Sequence, residues 1–428
     1  MTRSGKRLEE YRFAPPPIDR FVRSPSQSWL RVRATRESGI GLEPGKHEDG
    51  RGWLPIPFFW HDPPWYVASP AHARAVAQAV AGCGVTIGVN QSDLGEEPAS
   101  GAAGSSAAGN ASPAGASLGL ASLGNATRSG STAGAGGELH WSRLVPQRCD
   151  RAGWTLDDCQ MAKVIEVRLG MGRGQRGGYE YEERQYQRWH PAAGGLPPVP
   201  LLFPPEWRDL SMVGAKVRQL RVLGDAAVYF SCDESQVERL LPEVVTGGGD
   251  GVIVRCEGDP AAMLVRCGRV LDRIPIGQRP RVWVSGPELD VDDAVKCFAL
   301  GASGVAIDSI CNAWLTDEAM AKAFATQPSG FGFGGSAGKN QQQKFLDAIR
   351  DRLIGMCDRL AAILQSLMVR SIEELGPGHL VTHGHLVIDG PLADGHLVVD
   401  RPLVDGRRMI DGHRLVDGEL VGDGDRST

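Results

Sequence analysis

Long apolar runs are missing from this 428-residue chain. None reaches the roughly 20 residues that cross a bilayer as a helix, which excludes a membrane-spanning reading. The opening MTRSGKRLEEYRF is basic but has no apolar core behind it, so no secretory signal is read there. Clustered thiols are missing too. The nine cysteines stand singly, without CxxC spacing, and the expectation is reduced thiols in a cytoplasmic protein with no metal centre. Excess positive charge is also absent. A net charge of −5 gives no electrostatic case for nucleic acid or an anionic membrane surface as partner. Aromatics make up 6% of the chain, so the dense block WLPIPFFW, Trp53 to Trp60, stands out as a buried strand.

What is present is a series of alternating units. Residues 1–50 are rich in Arg and Pro and form an extended lead-in. SPAHARAVAQAVAGCG predicts a helix, with Ser69 as N-cap, Pro70 in the first turn and Gly84 near the end. VTIGV follows as a short strand. Residues 95–137 are almost all Gly, Ala and Ser, and bury too little apolar surface to offset their ordering entropy. They are expected to be a disordered insertion. After it, VIEVRL, AAVYFSC, DGVIVRC, RVWVSG and SGVAIDS predict strands. Helical segments separate the last four, with Ser235 expected to cap the first of these helices and Gly301 to end the last. Repeated βα units with near-continuous Val and Ile imply a parallel sheet covered by helices. Their number favours an α/β fold of the (β/α)8, TIM-type, barrel class over residues 51–330.

Residues 340–378 predict a C-terminal helical extension. Phe345, Ile349, Leu353, Met356, Leu360, Ile363 and Leu367 share one stripe for packing on the barrel. Residues 379–428 repeat a unit of five or six, two apolar residues then Asp-Gly, as in HLVIDG and HRLVDG. A disordered tail is expected there, with short solenoid-like rungs as the alternative.

Several blocks, in order and with matching spacing, carry a family resemblance. PFFWHDPPWYVASPAHARAVAQAVAGCG is similar to the strand, loop and helix that open the FMN-binding central domain of the glutamate synthase large subunit. LVPQRCDRAGWTLDDCQMAKVIEVRLGMGRGQRGG resembles that family's Gly-Arg-Phe-Gly segment and its Gln-Gly-Ala-Lys-Pro-Gly loop. LLFPPEWRDLSMVGAKVRQL and the unit from Val228 to Leu315 continue the resemblance, as does SIEELGPGHL. It covers most of residues 12–94 and 138–382. The resemblance implies a barrel that uses FMN in the reductive formation of glutamate from 2-oxoglutarate and ammonia.

That chemistry needs a phosphate cradle, a cation beside the flavin ring and positive charge for the substrate carboxylates. The resemblance places the cradle at Gly286-Pro287 and Asp308-Ser309, and the ring cation at Ser231. Gly286 and Ser309 retain donors. Pro287 has no N–H, Asp308 sets a carboxylate against phosphate, and Ser231 is neutral. The family's Met-Ser-Phe-Gly is Pro63-Pro64-Trp65-Tyr66 here, and a family acid falls at Gln91. Arg151 and Arg173 stand at the substrate-binding positions. Cys311 has no companion thiol nearby, so no iron–sulfur cluster is expected. Two readings follow. One is a glutamate synthase-type oxidoreductase with eroded catalytic equipment. The other is a non-catalytic barrel for binding, sensing or assembly, with a small anionic ligand held by Arg151 and Arg173.

Overall fold

The computed structural model describes residues 7–14, 30–34, 53–94, 141–149, 154–170, 186–187, 201–286, 289–325 and 336–382, with isolated short strands up to residue 421. The expected insertion at 95–137 lies outside the described residues, as do Arg151, Arg173 and Pro287. Among the described residues no helix is long and apolar enough to cross a membrane.

Eight parallel strands close into a barrel. They are β1 (Phe58–Trp60), β2 (Thr86–Gly88), β3 (Arg143–Gln147), β4 (Val164–Arg168), β5 (Ala227–Asp233), β6 (Gly251–Arg255), β7 (Arg281–Ser285) and β8 (Gly304–Ala306). Each pairs with its neighbours in chain order, and β8 returns to β1. The expected (β/α)8 fold is therefore what the chain adopts. Around it run α1 (Pro70–Gly82), α2 (Leu156–Met161), α3 (Val213–Leu223), α4 (Val237–Gly247), α5 (Pro260–Leu271), α6 (Val291–Ala299), α7 (Asp308–Thr316), α8 (Glu318–Ala325) and α9 (Ser336–Ser366).

Local signals explain most helix boundaries. Ser69 caps α1 by accepting the His72 N–H at 3.3 Å. Asp259 caps α5 and Asp290 caps α6 in the same way. Ser235 does not cap α4. A 3-10 turn, Glu234–Gln236, precedes that helix, and Gln236 stands at its N-cap without a side-chain bond. The block Trp53–Trp60 is split as well. Only Phe58–Trp60 joins the barrel, while Trp53–Leu54 pairs antiparallel with Val32–Arg33 outside it. The stripe on α9 packs as expected, with Ile349, Leu353, Met356, Leu360, Ile363 and Leu367 all buried. The lead-in and the start of the tail meet: Tyr11–Phe13 pairs antiparallel with Leu380–Thr382. Further along the tail, Met409–Ile410, His413–Val416 and Glu419–Val421 form a small antiparallel sheet.

Inside the barrel, alternate residues of each strand point to the axis. The N-terminal half of this interior is aromatic. Phe59 and Tyr229 pack on Trp283 with ring centroids 4.6 and 4.7 Å apart. Two glycines make room for these rings. A Cβ at Gly251 would fall 2.2 Å from the Tyr229 ring, and one at Gly304 2.9 Å from the Trp283 indole. The Tyr229 hydroxyl donates to the Ala34 carbonyl at 2.7 Å, tying the short segment at 30–34 across the barrel floor.

This packing predicts that Gly251→Ala costs about 1–3 kcal/mol through overpacking, and Trp283→Ala about 3–5 kcal/mol through cavity formation. Denaturant midpoints measure both, and a midpoint unchanged in either variant would contradict the layered interior.

Candidate functional site

The C-terminal half of the interior is built from charge. His61, the residue after β1, points inward with its ring edge-on to Phe59 at 5.8 Å. Its Nδ1 lies 2.8 Å from Ser285 Oγ at the end of β7. Its Nε2 lies 2.8 Å from Glu166 Oε1 on β4. The other Glu166 oxygen accepts from Arg168 Nε at 3.0 Å. Arg168 also donates to Asp62 Oδ1 at 2.9 Å and to the His61 carbonyl at 3.0 Å. Asp62 in turn accepts from Arg255, at the end of β6, at 2.9 Å. One chain of contacts thus runs from β7 through β1 and β4 to β6, across the barrel mouth. This is the end of the barrel where such folds carry their chemistry.

The network is dry at its centre and wet at its rim. The Glu166, His61 and Arg168 side chains are at most 2% exposed, whereas those of Asp62 and Arg255 are about a third exposed. Burial alone would push the carboxyls of Glu166 and Asp62 upward. The charge of Arg168, aided by the His61 hydrogen bond at Glu166 and by Arg255 at Asp62, outweighs burial and holds both well below the usual carboxylate range. Ser231, fully buried on β5, also favours the ionised form of Glu166, although its hydroxyl forms no bond of proper geometry.

Asp308, at the first position of α7, serves a different purpose. Its Oδ1 accepts the backbone N–H of His61 at 2.6 Å and that of Asp62 at 3.4 Å. Burial raises its pKa above the ordinary value. Among the described residues no group of three or more His, Cys, Asp or Glu is placed to hold a metal ion.

The positions assigned to FMN by resemblance do not fit that cofactor. Two backbone N–H groups at the end of β1 are spent on the Asp308 carboxylate. The Arg168 guanidinium and the His61 ring are both committed to Glu166, between β1 and β4. Ser231, the Cα partner of Arg168 on β5, carries no positive charge to stabilise a reduced flavin ring. Gly286 and Ser309 flank the ends of β7 and α7, and Ser309 is exposed. An added methyl at Gly286 would make only an ordinary 3.6 Å contact with Cys256, so nothing in the fold demands glycine there. Trp65 takes up no space at the axis. Its indole donates to the Gly88 carbonyl at 3.0 Å and packs on Trp60, which is held outside the barrel by Asn312 of α7. Gln91 serves the backbone: its N–H donates to Asp158 of α2 at 2.8 Å.

His61, Asp62, Glu166, Arg168, Arg255 and Ser285 were not among the site residues expected from sequence. The available signal was Glu166 and Arg168 standing two apart within an otherwise apolar strand, which puts both on the same face. Charge on the inner face of a buried strand is costly and calls for partners.

No protein-family profile matches the chain, and no curated protein matches it in sequence. Among solved structures it is similar to a mutant of (S)-mandelate dehydrogenase, at 14% identity over 88% of this chain and 89% of that one, with a TM-score of 0.45. It is also similar to the flavin-binding domain of baker's yeast flavocytochrome b2, at 13% identity over 87% of this chain and 76% of that one, with a TM-score of 0.45. Likeness at this level concerns the fold and says nothing of ligand or reaction. The fold assignment rests on the strand order itself.

The low pKa of Glu166 has a consequence for stability. A carboxyl depressed in the folded state stabilises fully above its ordinary value of 4.5 and loses that contribution as pH falls through the folded value. Glu166→Gln is expected to cost about 3–5 kcal/mol at neutral pH by removing the buried half of the Arg168 charge pairing and the carboxylate that accepts from His61. It is also expected to flatten the acid limb of the stability curve. Urea denaturation from neutral pH down into the acid range checks both. A variant with the wild-type acid slope would show that Glu166 is not the group responsible.

Proposed function

We propose that this chain is a glutamate synthase-like barrel whose cofactor site has been replaced by side chains, so that it serves as a binding, sensing or assembly module and not in flavin-dependent glutamate formation. The observation that carries this reading is the Asp308 carboxylate on the His61 and Asp62 N–H groups. A carboxylate fixed there takes up backbone donors at the mouth and adds like charge beside an incoming phosphate. The span of Arg168 from Glu166 to Asp62 adds a steric reason, because a flavin ring over the axis would have to break it.

The reading of an active glutamate synthase-type oxidoreductase has one point in its favour. The blocks that carry the resemblance fall on β1 and on β3 to β8 of a closed barrel. A small anionic ligand remains the proposed occupant of the module. Arg168 in the buried centre and Arg255 at the rim already share Asp62.

A cofactor titration separates the two. The purified protein is expected to be colourless, and FMN in large excess is expected to leave its melting temperature unchanged, since a ligand binding only the folded state would raise it. Protein that purifies yellow and releases FMN on denaturation overturns the proposal.

A further inference from the structure

The contact between Ser285, His61 and Glu166 is more specific than a buried ion network requires. With Glu166 ionised, its Oε1 accepts the proton on His61 Nε2 at 2.8 Å. That choice of tautomer leaves a lone pair on Nδ1, aimed at Ser285 Oγ 2.8 Å away. A hydroxyl, an imidazole base and an orienting carboxylate in sequence form the arrangement that activates a serine for attack. The three come from β7, β1 and β4, so only the closed barrel brings them together. Arg168 holds the carboxylate from the far side, which keeps it ionised and fixed.

The surroundings are largely buried. Ser285 is 4% exposed, but its Cα partner on β6 is Arg255, whose side chain is 35% exposed. Solvent therefore reaches the neighbouring strand, and a reagent must approach from that side. Beside Ser285 begins α7, whose leading amides have no partner within the helix and can meet developing negative charge. Asp308 Oδ2 stands 3.4 Å from Ser285 Oγ as a second, weaker acceptor. Its charge opposes an oxyanion, so stabilisation of developing charge has to come from the His61 side of the serine.

We propose that Ser285 is an acyl-accepting nucleophile toward small carboxylic esters, with His61 as its general base and Glu166 as the residue that orients His61. In the acylation step the Ser285 Oγ–carbonyl carbon bond forms and the ester C–O bond breaks. The hydroxyl proton passes to His61 Nδ1 and then to the departing alkoxide or phenoxide. Water attacks the acyl-serine in the same manner and regenerates the hydroxyl. No cofactor takes part, so this chemistry goes beyond the flavin question and is tested apart from it.

The test incubates the folded full-length chain with p-nitrophenyl acetate, follows p-nitrophenolate release and maps the acetyl group by peptide mass spectrometry. Acetylation of Ser285 is expected in the folded protein, absent in Ser285→Ala, and lost when the same incubation is run in urea. His61→Gln is expected to slow it by about 100-fold or more, the usual contribution of a general base. If that variant does not fold, the comparison of folded and urea-treated wild type still decides. Folded wild type that neither carries an acetyl group on Ser285 nor releases p-nitrophenolate faster than Ser285→Ala overturns the proposal, as does equal labelling of Ser285 in urea or in a folded His61→Gln variant.

Discussion

Glu166 carries a full negative charge in the middle of a barrel, and the upper half of the interior is arranged around that fact. A lone carboxylate there would be driven neutral by burial. Arg168 on one oxygen and His61 on the other prevent this, and each brings further obligations. The remaining donors of Arg168 need Asp62 and the His61 carbonyl. Asp62 brings in Arg255, and the far nitrogen of His61 needs Ser285. The backbone at His61 and Asp62, bent inward to make these bonds, offers its N–H groups to Asp308. Removing Glu166 in thought undoes the sequence of contacts one partner at a time.

Seen this way, the barrel has two interiors. The floor is aromatic, with Phe59, Tyr229 and Trp283 interlocked and Gly251 and Gly304 yielding space. The mouth is ionic. The boundary falls at the edge-on contact of Phe59 with His61. Such a division suits a site. The aromatic floor supplies a rigid base and excludes water from below, and the charged layer above it carries the polar chemistry in a medium of low dielectric. The polar layer satisfies its charges with its own side chains.

The features of the fold that were legible in the sequence are those decided by short-range physics. Alternating apolar strands and amphipathic helices led to the barrel class, and the stripe from Ile349 to Leu367 led to the face of α9 that is buried. Ser69 was legible as a cap because capping depends on residues three apart. Ser235 misled because the local signal was outweighed by a 3-10 turn that starts the helix later. Trp53 to Trp60 misled because apolar content does not show which sheet a strand joins.

Sequence alone therefore determined that this chain builds a (β/α)8 barrel, and that Ser231 and Asp308 stand where the resembled family has flavin contacts. Tertiary structure alone decided what stands in their place. His61 and Glu166 are separated by 105 residues and His61 and Ser285 by 224, yet each pair lies within hydrogen-bond distance. Closure of the barrel puts the ends of distant strands side by side, and the pairing of two charges depends on distance in space. That distance is set by strand register, which no local pattern in the chain records.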